Sequence, residues 1–170
     1  MNLEEAALKK KLEAGRMLLL KARGKRVRPL LDDKIILGWN ALMNTAVSKA
    51  FAATGHLAFR ELAIRNMEFL LLHFKAEKGY HHTWKAGQAK VPAFLDDYAC
   101  LIDALIHLQE ITGNRDWLLR ARELTAFVQA HFREEGTGFF YYTPDWQEDV
   151  ILRKKEVYDG ATPSGNALMA

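Results

Sequence analysis

Two short stretches, Ala53-Thr54-Gly55 and Ile111-Thr112-Gly113, decide how this chain folds. Each closes a long apolar run of helical period, and a glycine there supplies the left-handed residue that ends a helix. Eighteen residues after each glycine comes the same pair, His73-Phe74 and then His131-Phe132, so both marks repeat at a spacing of 58. The spacing predicts helices over about 36–53, 58–74, 94–111 and 115–132, arranged as two helical hairpins. After each hairpin come a basic residue, an acid, a glycine and an aromatic: Lys75, Glu77, Gly79 and Tyr80, then Arg133, Glu135, Gly138 and Phe139.

A third copy starts near the end. Asn40-Ala41-Leu42-Met43 recurs as Asn166-Ala167-Leu168-Met169, 126 residues on, and each has an aspartate seven residues before it, Asp33 and Asp159. Pro163 and Ser164 are residues that start a helix. A unit of about 58 residues is too long for the common 33–34-residue helical repeats. It suits a ring of α-hairpins in which inner helices are surrounded by outer ones. The long connections, 75–93 and 133–162, both precede inner helices, so function is expected on that mouth.

The remainder is read more coarsely. Residues 3–22 carry apolar positions at Leu3, Ala7, Leu8, Leu12, Leu18 and Leu19, a helical stripe stopped by Gly24 and Pro29. Gly138–Thr143 and Val150–Leu152 flank Pro144-Asp145, which predicts a short β-hairpin or an extended loop within 138–153. The layout expected is all-α and one domain over 1–170: an N-terminal helix, hairpins at 34–74 and 94–132, and a third beginning at 163. Repeat arrays end in polar caps, and Ala167-Leu168-Met169-Ala170 is not one. The chain therefore reads as a fragment of a longer protein, inactive by itself, with an apolar edge that favours self-association.

Composition narrows the classes. No apolar run approaches the roughly 20 residues of a membrane span, and the N-terminus lacks the pattern of a signal peptide. Cys100 is the single cysteine, so no intrachain disulfide or cysteine zinc set is available. No metal or cofactor is expected, and a cytoplasmic location is the default. Residues 1–31 hold nine Lys or Arg against three Glu, peaking at Lys21, Arg23, Lys25, Arg26 and Arg28. A helix end and a loop pairing with Asp32 and Asp33 account for that excess, and no nucleic-acid partner is expected.

Three motifs together resemble the spermatogenesis-associated, YyaL-type thioredoxin-domain proteins. They are Pro29–Asn40, Pro92–Ala99 and Asp159–Asn166, supported by Arg153, Lys155 and the Gly138-Phe139-Phe140 turn. The resemblance runs from about Leu3 to the end. It implies a thioredoxin-like domain elsewhere in such proteins and, for this chain, about half of an (α/α)6 toroid similar to N-acylglucosamine 2-epimerases and six-hairpin glycosidases. Ala41 departs from the glycine usual after Trp-Asn in that family.

Candidate site residues follow from the mouth. Asp32-Asp33, Asp96-Asp97 and Asp159 lie at or before inner-helix starts, where one aspartate per helix serves as a cap. Doubled acids are more than capping requires, and paired carboxylates can act on a glycosidic bond. The catalytic candidates are Asp97, Asp33 and Asp159. Trp39, Tyr98 and Trp84 offer rings for stacking on a sugar, Asn40 and Asn166 offer hydrogen bonds, and His82 offers a contact or a proton shuttle. Packing is the competing role for each aromatic. His81 and His82 are adjacent and point apart in a strand, which makes them poor joint metal ligands. Two functions remain open: a sugar-processing epimerase-like or glycosidase-like domain with a sugar ligand, and a non-catalytic ligand-binding or scaffold domain for a thioredoxin-like module.

Overall fold

The computed structural model describes residues 4–170, so Leu3 lies outside it. The chain forms two compact units, residues 1–33 and 34–170. The first contains helix α1 (Glu5–Gly24), none of whose residues is buried, followed by a segment without regular structure. Among the described residues, no helix is long and apolar enough to cross a membrane.

The second unit runs β1 (Ile35–Ile36), α2 (Leu37–Thr54), α3 (Leu57–His73), β2 (His81–Lys85), β3 (Gln88–Pro92), α4 (Leu95–Thr112), α5 (Arg115–His131) and α6 (Gly165–Met169). The repeat holds to the residue: α2 and α4 begin and end 58 apart, and so do α3 and α5. Gly55 and Gly113 end the inner helices with φ of 70° and 69°, the left-handed conformation that a Cβ would oppose. Thr54 and Thr112 Oγ1 each donate to the carbonyl four residues back, at 2.7 Å in both copies.

Helices α2, α4 and α6 form the inner row, with α3 against α2 and α5 against α4. Helix α4 is the centre. It buries ten residues, where α3 and α5 bury three each, because it alone has helical neighbours on three sides. That explains its near-continuous apolar run from Tyr98 to Leu105, interrupted only by Asp103.

The two outer helices end alike. Phe69 and His73 meet Trp84 edge-on at 5.5 and 5.8 Å. Phe127 and His131 meet Trp146 the same way at 5.6 and 4.8 Å. In both copies a tryptophan from the following long connection is pinned on a Phe-His pair, so Trp84 is a packing residue of the sheet against α3.

The small sheet has order β1-β2-β3, all antiparallel. The β-hairpin therefore lies at 81–92, while 138–153 is an extended loop with no strand. The hairpin turns at Ala86-Gly87, with φ of 50° and 79°, the mirror-image geometry that matches strand twist. Alanine is an unusual first residue for that turn, which hid the hairpin in the sequence. In the second copy, isolated pairing joins Arg133 to Phe140, as Lys75 joins Tyr80. Phe140, not Phe139, is thus the counterpart of Tyr80, because the second connection is two residues longer there. The loop beyond is held by Arg153, whose guanidinium donates to the Thr143 and His131 carbonyls and lies 4.2 Å from the centre of the Tyr141 ring.

Phe74 and Phe132 are both fully buried and 58 residues apart. Phe74→Ala and Phe132→Ala should each destabilise the fold by about 3–5 kcal/mol. Urea denaturation of the two variants checks this, and a near-neutral result at either position would break the equivalence of the copies.

Candidate functional site

The site is built around Asp96-Asp97 at the start of α4. Asp97 is 2% exposed. Its Oδ1 accepts the Gly38 N–H of α2 at 2.8 Å, and its Oδ2 accepts the Phe94 N–H at 2.9 Å. Oδ2 also lies 2.8 Å from His82 Nδ1 on β2. A buried carboxylate is tolerable because these donors replace water and because helix starts favour negative charge. Asp96 does the same toward the other neighbour, accepting the Gly165 N–H of α6 at 2.8 Å through Oδ1. The doublet thus ties the starts of three inner helices together, which is why one acid would not suffice.

Glycine is required opposite each acid. A Cβ on Gly38 would stand 2.9 Å from Asp97 Oδ1 and 3.3 Å from its Cα. A Cβ on Gly165 would stand 2.5 Å from Asp96 Oδ1 and 2.8 Å from the Leu95 side chain. The close approach of backbone to carboxylate sets the spacing of the inner row.

His82 is the histidine bonded to the clamp. Because a carboxylate can only accept, Nδ1 bears the proton and Nε2 is the titrating nitrogen. The hydrogen bond that His82 donates to Asp97 raises the His82 pKa above its ordinary value, against the opposing effect of burial. Burial raises the Asp96 pKa, the Gly165 N–H opposes this, and the Asp97 and Glu156 charges add to it. The His82 ring leans on Phe94 at 4.9 Å, and Phe94 stacks on Tyr142 at 4.8 Å and 14°. Burial pushes the Tyr142 hydroxyl up to about 12, helped by the nearby Asp96, Asp97 and Glu156 charges. His82 and Asp96, each shifted upward, therefore flank the start of α4 beside the Phe94 and Tyr142 rings.

The other sequence-predicted residues separate clearly. Trp39, at the start of α2, is 71% exposed. Asn40 Nδ2 donates to the Ile36 carbonyl at 2.9 Å. Tyr98 is a core residue, 1% exposed, whose Oη accepts the Tyr80 N–H at 2.8 Å. Asn166 binds the Phe140 backbone with both ends of its amide and also donates to the Glu156 carbonyl. Asp159 is exposed and accepts the Ser164 N–H at 2.9 Å, while Ser164 caps α6. Asp33 belongs to the first unit and is exposed. Asp96 was legible as half of an acid doublet but not as a ranked candidate, and Phe94 and Tyr142 were not singled out. The glycines facing the acid doublet, Gly38 and Gly165, were the signal that could have found the clamp. Among the described residues, no group of three His, Cys, Asp or Glu side chains is placed to hold a metal ion.

Asp97→Ala would strand two backbone N–H groups and the His82 ring. A loss of about 3–5 kcal/mol is expected, against about 1–2 kcal/mol for Asp96→Ala, which strands one. Chemical denaturation of both variants tests this order, and equal losses would contradict it. The raised His82 pKa also sets a pH dependence. Protonated His82 stabilises the fold fully below the unfolded value of about 6.5, and that contribution is lost as pH rises through the folded pKa. The stability gap between the natural chain and His82→Gln should therefore be widest near pH 5–6 and shrink above neutrality. Thermal melts across that range measure it, and a gap that widens with pH would reverse the assignment.

Comparison with known proteins places this arrangement. No family model matches the chain. An uncharacterized protein of Caenorhabditis elegans is 32% identical over 96% of the chain and 23% of that protein. Spermatogenesis-associated protein 20 of mouse is 32% identical, and that of rat 31%, each over 99% of the chain and 23% of the relative. The chain thus spans about a quarter of the length of these relatives. Among solved structures, cellobiose 2-epimerase from Spirochaeta thermophila matches 67% of this chain and 30% of its own, with a TM-score of 0.60 and 21% identity. That likeness gives the fold, an epimerase-type (α/α)6 toroid of which these hairpins are a part. The homologues of this chain are thus spermatogenesis-associated protein 20 of mouse and rat, of which it matches about a quarter.

Proposed function

We propose that this mouth binds a carbohydrate and that His82, oriented by Asp97, moves a proton on it. The observation that carries the reading is the buried Asp97 carboxylate 2.8 Å from His82 Nδ1, which leaves Nε2 as base. Its setting supports the same reading, since the fold neighbour is by name a sugar epimerase.

Epimerisation beside a sugar carbonyl needs one group to take the proton from carbon and another to return one to the opposite face. The C–H bond breaks, an N–H bond forms at Nε2, and the electron pair moves onto the carbonyl oxygen. Asp96, whose burial favours its protonated form, is the second proton carrier. Trp39 supplies an exposed ring for the apolar face of the sugar. A binding-only domain is the alternative, favoured by the structural use of Asp97 and of both doublet carboxylates on helix starts.

Titration of the chain with cellobiose should quench Trp39 fluorescence saturably. Trp39→Ala should weaken binding about tenfold, the range of one good contact. On saturation the His82 Nε2 resonance should move. Quenching without a change at His82 would select the binding-only reading, and no saturable quenching would remove both.

A further inference from the structure

A second concave region, sharing no lining residue with the mouth, lies between the two long connections. It is a cleft of about 620 Å³ lined by Glu77, Lys78, Phe127, His131, Asp145 and Trp146. It continues past Glu77, Lys78 and Trp146 into a neighbouring cleft of about 600 Å³ that reaches His81 and Pro92. None of these residues takes part in the Asp96-Asp97 clamp.

The floor is rigid. Phe127 and His131 meet Trp146 edge-on at 5.6 and 4.8 Å and lie tilted against each other at 4.8 Å. The turn above is pressed down as well: Gly79 has φ 71°, and a Cβ there would collide with Tyr98 Oη and the Phe127 ring. The same Phe-His-Trp set in the first copy, Phe69, His73 and Trp84, has no corresponding acid bonded to its histidine among the described residues. Only the second copy adds Asp145, whose Oδ1 lies 3.1 Å from His131 Nδ1.

We infer that this cleft is a second carbohydrate-binding site, built on Trp146 and His131 and separate from the mouth. The lining chooses the ligand class. Glu77 and Asp145 disfavour an anion and Lys78 disfavours a cation, so a neutral ligand fits. Carboxylates accept and an ammonium donates, which suits hydroxyls that can do both. Aromatic rings with a few convergent polar groups suit a ring with an apolar C–H face. The inference shares its ligand class with the mouth reading but none of its residues.

Proton–nitrogen NMR of the chain tests it, with the Trp146 indole signal assigned through Trp146→Phe. Titration with cellobiose or with N-acetylglucosamine should shift that signal saturably. Glu77 and Lys78 are exposed, so a Glu77→Ala/Lys78→Ala double variant should stay folded and weaken this binding about tenfold. Trp39→Ala should leave it unchanged. A Trp146 signal unmoved by either sugar would overturn the inference, as would one equally moved in the double variant or lost with Trp39→Ala. A shift with acetate or tetramethylammonium in place of sugar would overturn the ligand class. Failure of the mouth reading shows at Trp39 and His82 alone, so the two outcomes are distinguishable.

Discussion

A buried carboxylate surrounded by backbone N–H groups organises this molecule. Asp97 could not remain at 2% exposure without Gly38, Phe94 and His82 around it, because an uncompensated buried charge is unaffordable. Each partner brings a different element: α2, the start of α4, and β2. Asp96 extends the link to α6. Hydrophobic burial along α4 supplies most of the driving force, but it is non-directional. The acid doublet sets which helix ends meet and how closely.

The same interaction joins stability to chemistry. A carboxylate that holds two helix starts also fixes the tautomer of a histidine on an adjacent strand. The helix start and the histidine tautomer therefore depend on one atom, Asp97 Oδ2. The choice between catalytic acid and helix cap, posed by the doubled aspartates, divides differently in three dimensions. Asp97 holds helix starts and the His82 ring, His82 is raised above its ordinary pKa by that bond, and Asp96 bonds the start of α6.

The duplicated outer-helix endings carry a related lesson. Phe69-His73-Trp84 and Phe127-His131-Trp146 use one packing solution to pin a long connection onto a rigid helix end. Once packing is secured by the rings, the polar residues around them are free to diverge. Asp145 beside His131 is such a divergence, with no counterpart at His73 among the described residues.

Helix boundaries were legible in the residues because they are local. Gly55 and Gly113, apolar periodicity and the His-Phe pairs place every long helix of the second unit within one or two residues. The 58-residue unit, and with it the hairpin architecture, follows from the same marks. The hairpin at 81–92 was not legible, since Ala86-Gly87 adopts a turn that alanine rarely enters and strand pairing depends on a distant partner, Ile35-Ile36. Nor was the division of labour at the site. Tyr98 and Asn166 looked exposed to a ligand by position, yet the fold uses their polar atoms on the Tyr80 and Phe140 backbones. Contacts such as Asp97 to Gly38, 59 residues apart, and Asp96 to Gly165, 69 apart, exist only when the inner helices are side by side. Local propensity is written along the chain, whereas which carboxylate is buried, and against what, is decided by packing between elements.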